Sequence, residues 1–461
     1  MPEIVCVSPV DGREVARRKT ASGAEIETAL GLAREAQRSW AEVPLDERIA
    51  TVMRGVEALG AMNEDIVSEL ALQMGRPIRY GGEFRGVEER ARHMASIARK
   101  ALAPLVPEAR EGFRRMVKRE PLGVVLVIAP WNYPYLTAIN SIVPALIAGN
   151  AVILKHAAQT ILVGERFQQA FDRASLPKGL FTHLVLSHED TARMLTDGAV
   201  DHVNFTGSVA GGKAIEKAAA GSFTSLGLEL GGKDPAYVRP DAKFDHAVEN
   251  LVDGAFFNSG QCCCGIERIY VHEALHDRFV DAYAELTRRY VLGNPLDQAT
   301  TLGPMAHLRF ADLVRRQTRE ALDKGARGLV DAKAFAANAE GTPYLAPQVL
   351  AKVDHTMSVM VDESFGPVVG MMKVKSDEEA ISLMNDSPYG LTASIWSTDT
   401  DAAERIGDRI ETGTVFMNRC DYLDPALAWT GVKDTGRGAS LSEIGYAMLT
   451  RPKSFHLRHG I

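Results

Sequence analysis

Five uninterrupted apolar residues, Val124-Val125-Leu126-Val127-Ile128, stop abruptly at Ala129-Pro130-Trp131-Asn132-Tyr133-Pro134. A run this short, apolar at every position and closed by turn formers, describes a strand covered on both faces, and such strands belong to parallel sheets flanked by helices. The unit recurs. Ala151-Val152-Ile153-Leu154-Lys155 is a strand followed by a helix, Phe181 to Leu186 is another strand, and Val200 to Phe205 runs through Thr206-Gly207-Ser208 into a helix. After Leu228-Glu229-Leu230-Gly231-Gly232-Lys233 the pattern restarts, with a helix from Asp245 to Phe257, a strand at Arg268-Ile269-Tyr270-Val271 and a helix from Leu275 to Tyr290. This alternation predicts an open, doubly wound α/β architecture. Ligands of such sheets sit beyond the carboxyl ends of the strands, which is where Asn132, Lys155 and Gly207-Ser208 fall.

A chain of 461 residues exceeds one core and predicts two or three domains. Its first hundred residues read as helices: a capping box at Ser22 and Glu25, a second start near Pro44-Leu45-Asp46, and a third near Asn63 that ends at Gly75-Arg76-Pro77. Arg85 to Lys100 reads as a charge-rich helix with a solvated face and no chemistry. A formal charge of -7 gives no basic excess for nucleic acid, and the longest apolar runs are too short to span a membrane. No signal peptide is visible at the N-terminus, and five cysteines with three contiguous make no disulfide framework, so a reducing cytoplasm is expected. Lys453-Ser454-Phe455-His456-Leu457 alternates like an exposed edge strand, which invites pairing with another subunit.

The contiguous thiols are Cys262-Cys263-Cys264, within Asn258-Ser259-Gly260-Gln261 and Gly265. Neighbouring cysteines do not reach disulfide geometry without distorting the backbone, and zinc ligands want a wider spacing and a second pair, so no metal is expected. One nucleophilic thiol flanked by two buried passengers remains, set against the bland reading of three small apolar residues and against a redox-sensing thiol protein. Other signals are equally two-sided. Gly207-Ser208 at a helix N-terminus suits an anion or simply a cap. Asn132 suits an oxyanion donor or a turn former. Glu229 beside Leu230-Gly231-Gly232 is a bare carboxylate or an ordinary surface glutamate. No G-x-G-x-x-G follows the first strand.

Taken in order, Pro130-Trp131-Asn132-Tyr133-Pro134, Phe205-Thr206-Gly207-Ser208, Glu229-Leu230-Gly231-Gly232-Lys233, Asn258-Ser259-Gly260-Gln261-Cys262-Cys263 and Glu363-Ser364-Phe365-Gly366-Pro367 resemble the NAD(P)-dependent aldehyde dehydrogenase superfamily. The resemblance covers nearly the whole chain. It implies Cys263 as the nucleophile, Glu229 as general base, and Asn132 with the Cys263 backbone N–H as oxyanion donors. It also implies a thiohemiacetal and a thioester that water hydrolyses, because relatives passing the acyl group to coenzyme A usually lack a carboxylate at the Glu229 position. For the cofactor, NAD or NADP, it places Lys155 and Glu363 on ribose hydroxyls, Gly207 and Ser208 near the pyrophosphate, Trp131 beside the phosphates and Phe365 against the nicotinamide.

Two departures leave specificity open. Many NAD-preferring members read P-A-E after the lysine, whereas this chain reads His156-Ala157-Ala158, so nothing obvious repels a 2'-phosphate. The common P-F-G-G-x-K-x-S-G segment is here Ala428-Trp429-Thr430-Gly431-Val432-Lys433-Asp434-Thr435-Gly436. Tyr133, Trp429, Asp421 and Asp424 suit a cationic aldehyde, and Arg419 suits the carboxylate of a semialdehyde. The expected organisation is a Rossmann-like cofactor domain of residues 1-102 and 122-230, a catalytic domain of 231-432, and a small β bridging element of 103-121 and 433-461 serving a homodimer or homotetramer. A non-catalytic binding protein of the same fold is the rival reading, and an intact nucleophile and base in register argue against it.

Overall fold

The computed structural model describes residues 2–459. Its first large sheet has six strands in the order Gly436–Arg437, Ser225–Glu229, His202–Thr206, Val124–Ala129, Ala151–His156 and Phe181–His183. Neighbours run parallel except Gly436–Arg437, which returns antiparallel along Glu229 and Leu228. Every residue of Val124–Ala129 and Ala151–His156 is buried, as uninterrupted apolar runs require of strands covered on both faces. The edge strand stops at His183 rather than Leu186. With one neighbour to pair with, it makes a last bond from Leu184 N–H to Leu154 O, and the next helix starts at its Ser187 cap.

Strand order reverses between Val124–Ala129 and His202–Thr206: the chain builds outward to Phe181–His183, then crosses back to the other side. A crevice opens at such a reversal, beyond the carboxyl ends. Here it is flanked by Trp131-Asn132 after one strand and Gly207-Ser208 after the other.

The second sheet has seven strands in the order Arg327–Gly328, Gln348–Ala351, Val368–Val374, Ile266–His272, Asp234–Val238, Thr392–Trp396 and Thr414–Met417, parallel throughout except for the first pair. The chain passes from Ser225–Glu229 in one sheet to Asp234–Val238 in the other through Leu230-Gly231-Gly232-Lys233 alone. So short a link sets Glu229 at the seam between the sheets.

The helices of the first hundred residues follow their sequence signals. Ser22 Oγ accepts from Glu25 N–H while Glu25 accepts from Ser22 N–H at 2.7 Å, and Asn63–Met74 ends at Gly75 with φ 83°. Finally, Thr450–Arg458 pairs antiparallel with Phe113–Pro121 as a separate ribbon. Between Lys433 and Leu449 the chain stays with the main body: Gly436–Arg437 joins the first sheet, and helix Ser442–Met448 packs on helix Phe84–Ala101, with Tyr446 donating to Met94 O.

Candidate active site

Helix Phe244–Phe256 ends in a turn that holds three successive residues in the left-handed region, Asn258, Ser259 and Gly260, at φ 53°, 58° and 69°. For Asn258 and Ser259 this costs roughly 1 kcal/mol or more each, so something must hold them there. Asn258 Nδ2 donates to both Asn132 O and Gln261 O at 3.2 Å, and Ser259 donates to Gly303 O at 2.8 Å. At Gly260 a Cβ would come 2.3 Å from Gly366 O, so glycine is needed for space as well as for φ. Gln261 Oε1 accepts from Ala306 N–H at 2.7 Å.

The turn presents the thiols unequally. Cys264 is buried, whereas Cys262 is half-buried like Cys263, so the expectation of two buried passengers holds for only one of them. Cys262 and Cys264 sulfurs lie 3.5 Å apart. Hydrogen bonds from Cys263 and Cys264, with help from Tyr133, hold the Cys262 thiol well below its ordinary value despite burial. The bond to Cys262 in turn pushes Cys263 up. Among the described residues the Cys263 backbone N–H has no acceptor.

Asn132 is held against this turn. Its Nδ2 donates to Gln261 O at 3.3 Å, and its carbonyl accepts from Arg76 Nη2 at 2.6 Å. Arg76 is 4% exposed and pairs with Glu83 at 2.6 Å, while Glu83 Oε2 accepts from Tyr135 and Leu136 N–H at 2.9 and 2.7 Å. Glu83 thereby caps helix Pro134–Ala148, whose own N-terminus lacks a side-chain cap. Neither residue stands out in the sequence, since Arg76 looks like part of a helix stop and the Asn132 carbonyl it holds lies 56 positions along the chain.

Glu229 is drawn in at the seam. Ser440 donates to Oε1 at 2.6 Å and Thr206 to Oε2 at 3.3 Å. Burial raises its carboxyl above the ordinary value, opposed by these hydroxyls and by the charge of Arg90. The picture of a bare surface glutamate is replaced by that of a desolvated acid with two neutral donors. Gly207 N–H donates to Glu229 O at 3.0 Å, which ties the helix start to the same seam.

Across the seam, Gly232 N–H donates to Glu363 Oε1 at 3.0 Å. A Cβ on Gly231 would fall 2.4 Å from that oxygen, so the glycine pair lets the carboxylate lie on the backbone. Burial, then the charge of Glu267, pushes Glu363 up to about 7. Glu267 accepts from Ser364 and Phe365 N–H at 2.8 Å each and is ion-paired to the fully buried Lys233. The Phe365 ring meets Trp131 edge-on at 5.5 Å, and Trp131 stacks on Phe310 at 5.2 Å.

Lys155 stands apart from the thiols at the end of its strand. It is buried, burial lowers its pKa, and among the described residues its Nζ has no hydrogen-bond partner. Ser208 accepts from Gly211 N–H at 3.2 Å and opens helix Val209–Ala219. An unpartnered buried ammonium, a helix N-terminus at the strand-order reversal and a carboxylate held on glycine backbone together suit a dinucleotide: hydroxyls for Lys155 and Glu363, phosphates for the helix start.

The two specificity signals read from the sequence differ in exposure. Arg419 is exposed and stacks 3.6 Å above the Tyr422 ring. Asp421, at φ 55°, is pushed up to about 8 by burial and by the Cys262 charge. Among the described residues no helix is long and apolar enough to cross a membrane, and no cluster of three His, Cys, Asp or Glu could hold a metal.

Parallel sheets meeting at a thiol turn, with the Cys263 N–H free of an acceptor among the described residues and a desolvated carboxylate at the seam, suit covalent carbonyl chemistry. The sequence model of the aldehyde dehydrogenase family matches residues 2–455, and the chain belongs to that family. It is 32% identical over 444 residues, 96% of this chain and 95% of the other, to an NAD(P)+ succinate semialdehyde dehydrogenase of Escherichia coli. It is 34% identical over 438 residues, 94% of this chain and 91% of the other, to a geranial dehydrogenase of Castellaniella defragrans. Among solved structures, the succinic semialdehyde dehydrogenase of Streptococcus pyogenes in complex with NADP+ superposes with a TM-score of 0.93 at 27% identity, covering 99% of this chain and 100% of that one.

Proposed function

We propose that the chain oxidises a semialdehyde to a dicarboxylic acid through a covalent intermediate on Cys263. It is an NAD(P)-dependent aldehyde dehydrogenase. The observation that carries the reading is the Cys263 turn, where a half-buried thiol has a backbone N–H without an acceptor among the described residues and the Asn132 amide is bonded to Gln261, two residues earlier. The semialdehyde class is supported by the names of the E. coli and S. pyogenes relatives.

Cys263 loses its proton to water and becomes the attacking thiolate. Cys263 adds to the aldehyde carbon, and the Asn132 amide with the Cys263 N–H stabilises the oxyanion. When bound, the nicotinamide would supply the acceptor for the hydride lost from the thiohemiacetal carbon, which leaves a thioester on Cys263. Trp131, Lys155, Gly207, Ser208, Glu363 and Phe365 would hold that dinucleotide. With no carboxylate at Ala158, NADP is accepted alongside NAD. Glu229 then turns from Ser440 and Thr206 to take a proton from water, which hydrolyses the thioester. Residues 1-102 and 122-230 make the cofactor domain, 231-432 the catalytic domain, and the ribbon of 103-121 with the chain end pairs with a second copy in the cytoplasm, giving a dimer or tetramer.

The test is rapid-mixing kinetics of Glu229→Gln. We expect a burst of reduced coenzyme equal to the active sites, followed by turnover at least about 10²-fold slower than the parent. Unchanged steady turnover would remove Glu229 from the mechanism.

A further inference from the structure

Helix Phe84–Ala101 buries Val87, Arg90, Ala91, Met94, Ala95 and Ala98, so one arginine sits inside an otherwise apolar stripe. Arg90 is 8% exposed. Its Nη1 donates to Leu136 O at 2.9 Å and Asn140 Oδ1 at 3.1 Å, and among the described residues Nε and Nη2 have no acceptor and no carboxylate oxygen lies within 4.0 Å. A desolvated guanidinium without an anion is costly, because buried charge is tolerated when it is paired. Arg76 shows the contrast: it is equally buried and fully paired with Glu83.

Among the described residues no carboxylate forms an ion pair with Arg90. The charged and titratable groups that act on Arg90 are Glu83, Cys264, Glu229 and Cys263. Glu83 is committed to Arg76 and to the Tyr135 and Leu136 N–H groups. Glu229 is held by Ser440 and Thr206, and its carboxyl is kept toward the neutral form by burial. A second donor is orphaned at the same place: Asn140, whose oxygen accepts from Arg90, has a buried Nδ2 with no partner. The group set that feels Arg90 is also the group set of the proposed chemistry, so the unmatched charge adjoins the reacting centre.

We propose that Arg90 is the specificity residue that receives the substrate's far carboxylate, so that the aldehyde is an ω-oxo acid whose two ends are read by Cys263 and Arg90. This rests on the semialdehyde reading above and assigns its anion to a residue on the first-hundred helices rather than to the exposed Arg419. A guanidinium offers a fork that matches a carboxylate bidentately, which a lysine would not.

The test compares kcat/KM for succinate semialdehyde and for butanal, which has the same chain length without the carboxylate. The parent should prefer the anionic aldehyde, and Arg90→Met should cut the preference ratio by about 10- to 100-fold, mainly through KM for the anion. Asn140→Asp provides the second variant. It gives Arg90 an internal carboxylate, so it should keep or raise Tm while also collapsing the ratio. A preference that survives both variants would overturn the assignment to Arg90 while leaving the semialdehyde reading intact. A parent without preference for the anion would overturn both.

Discussion

The two sides of the proposed site, the Cys263 turn and the Glu229 seam, are built differently. The Cys263 turn is fixed by backbone: three left-handed residues, the Asn258 amide bridging Asn132 and Gln261, and a buried ion pair, Arg76–Glu83, that clamps the Asn132 carbonyl. Glu229 rests only on two hydroxyls, Ser440 and Thr206, with no ion pair. A nucleophile with its oxyanion donors works by fixed geometry, since a misplacement near 1 Å is expensive, whereas a base that must wait and then meet water needs a shallow resting place. Under the proposed mechanism, rigidity falls where the transition state is held, and freedom where a proton is traded.

Substitutions can break or sharpen that contrast. The largest effect falls on the fixed side: Cys263→Ala should lower kcat/KM by at least about 10⁴-fold, while Cys262→Ala and Cys264→Ala should leave most of the activity. Steady-state rates with matched far-ultraviolet spectra decide it. Equal losses in all three would mean that the cluster acts as packing.

Next comes the clamp. Arg76→Met strands Glu83 in the interior and should cost about 3–5 kcal/mol of stability, read by denaturant unfolding. By contrast Ser440→Ala, on the loosely held side, should cost about 1 kcal/mol and lower turnover only several-fold. If the two variants unfold alike, the contrast between the sides is lost.

A smaller effect tests the electrostatic load beside the thiols. Asp421 ionises at an ordinary carboxylate value in the unfolded chain but at about 8 when folded, so the native state binds the extra proton between these values. Its favourable contribution is therefore complete below pH of about 4 and is lost as pH rises through about 8. Asp421→Asn removes that dependence, so its Tm should match the parent near pH 4 and exceed it increasingly toward pH 8. A gap that widens toward acid instead would reverse the assignment.

Much of this was legible because it is written locally. Apolar runs closed by turn residues gave both sheets, the Ser22–Glu25 box gave a helix start, and contiguous motifs supply Cys263, Glu229 and Asn132 as the proposed set. What escaped is written across the chain. Glu267 follows Lys233 by 34 positions and Arg76 precedes Asn132 by 56, with no local pattern linking either pair. Arg85 to Lys100 was read as a helix without chemistry because its many charges fit a solvated face. The overlooked signal was register, since Arg90 occupies the same stripe as Val87, Ala91 and Met94, where a solvated charge has no place. Glu229 misled for the opposite reason: glycines beside it suggested exposure, whereas they allow the Glu363 carboxylate to approach the backbone.

The account stands or falls on which sulfur carries the acyl group. Glu229→Gln, quenched in acid during the burst with succinate semialdehyde and coenzyme, digested and mapped by mass spectrometry, should carry one succinyl mass on Cys263 and none on Cys262 or Cys264. An acyl mass on either neighbour, or a burst without any covalent adduct, would contradict it.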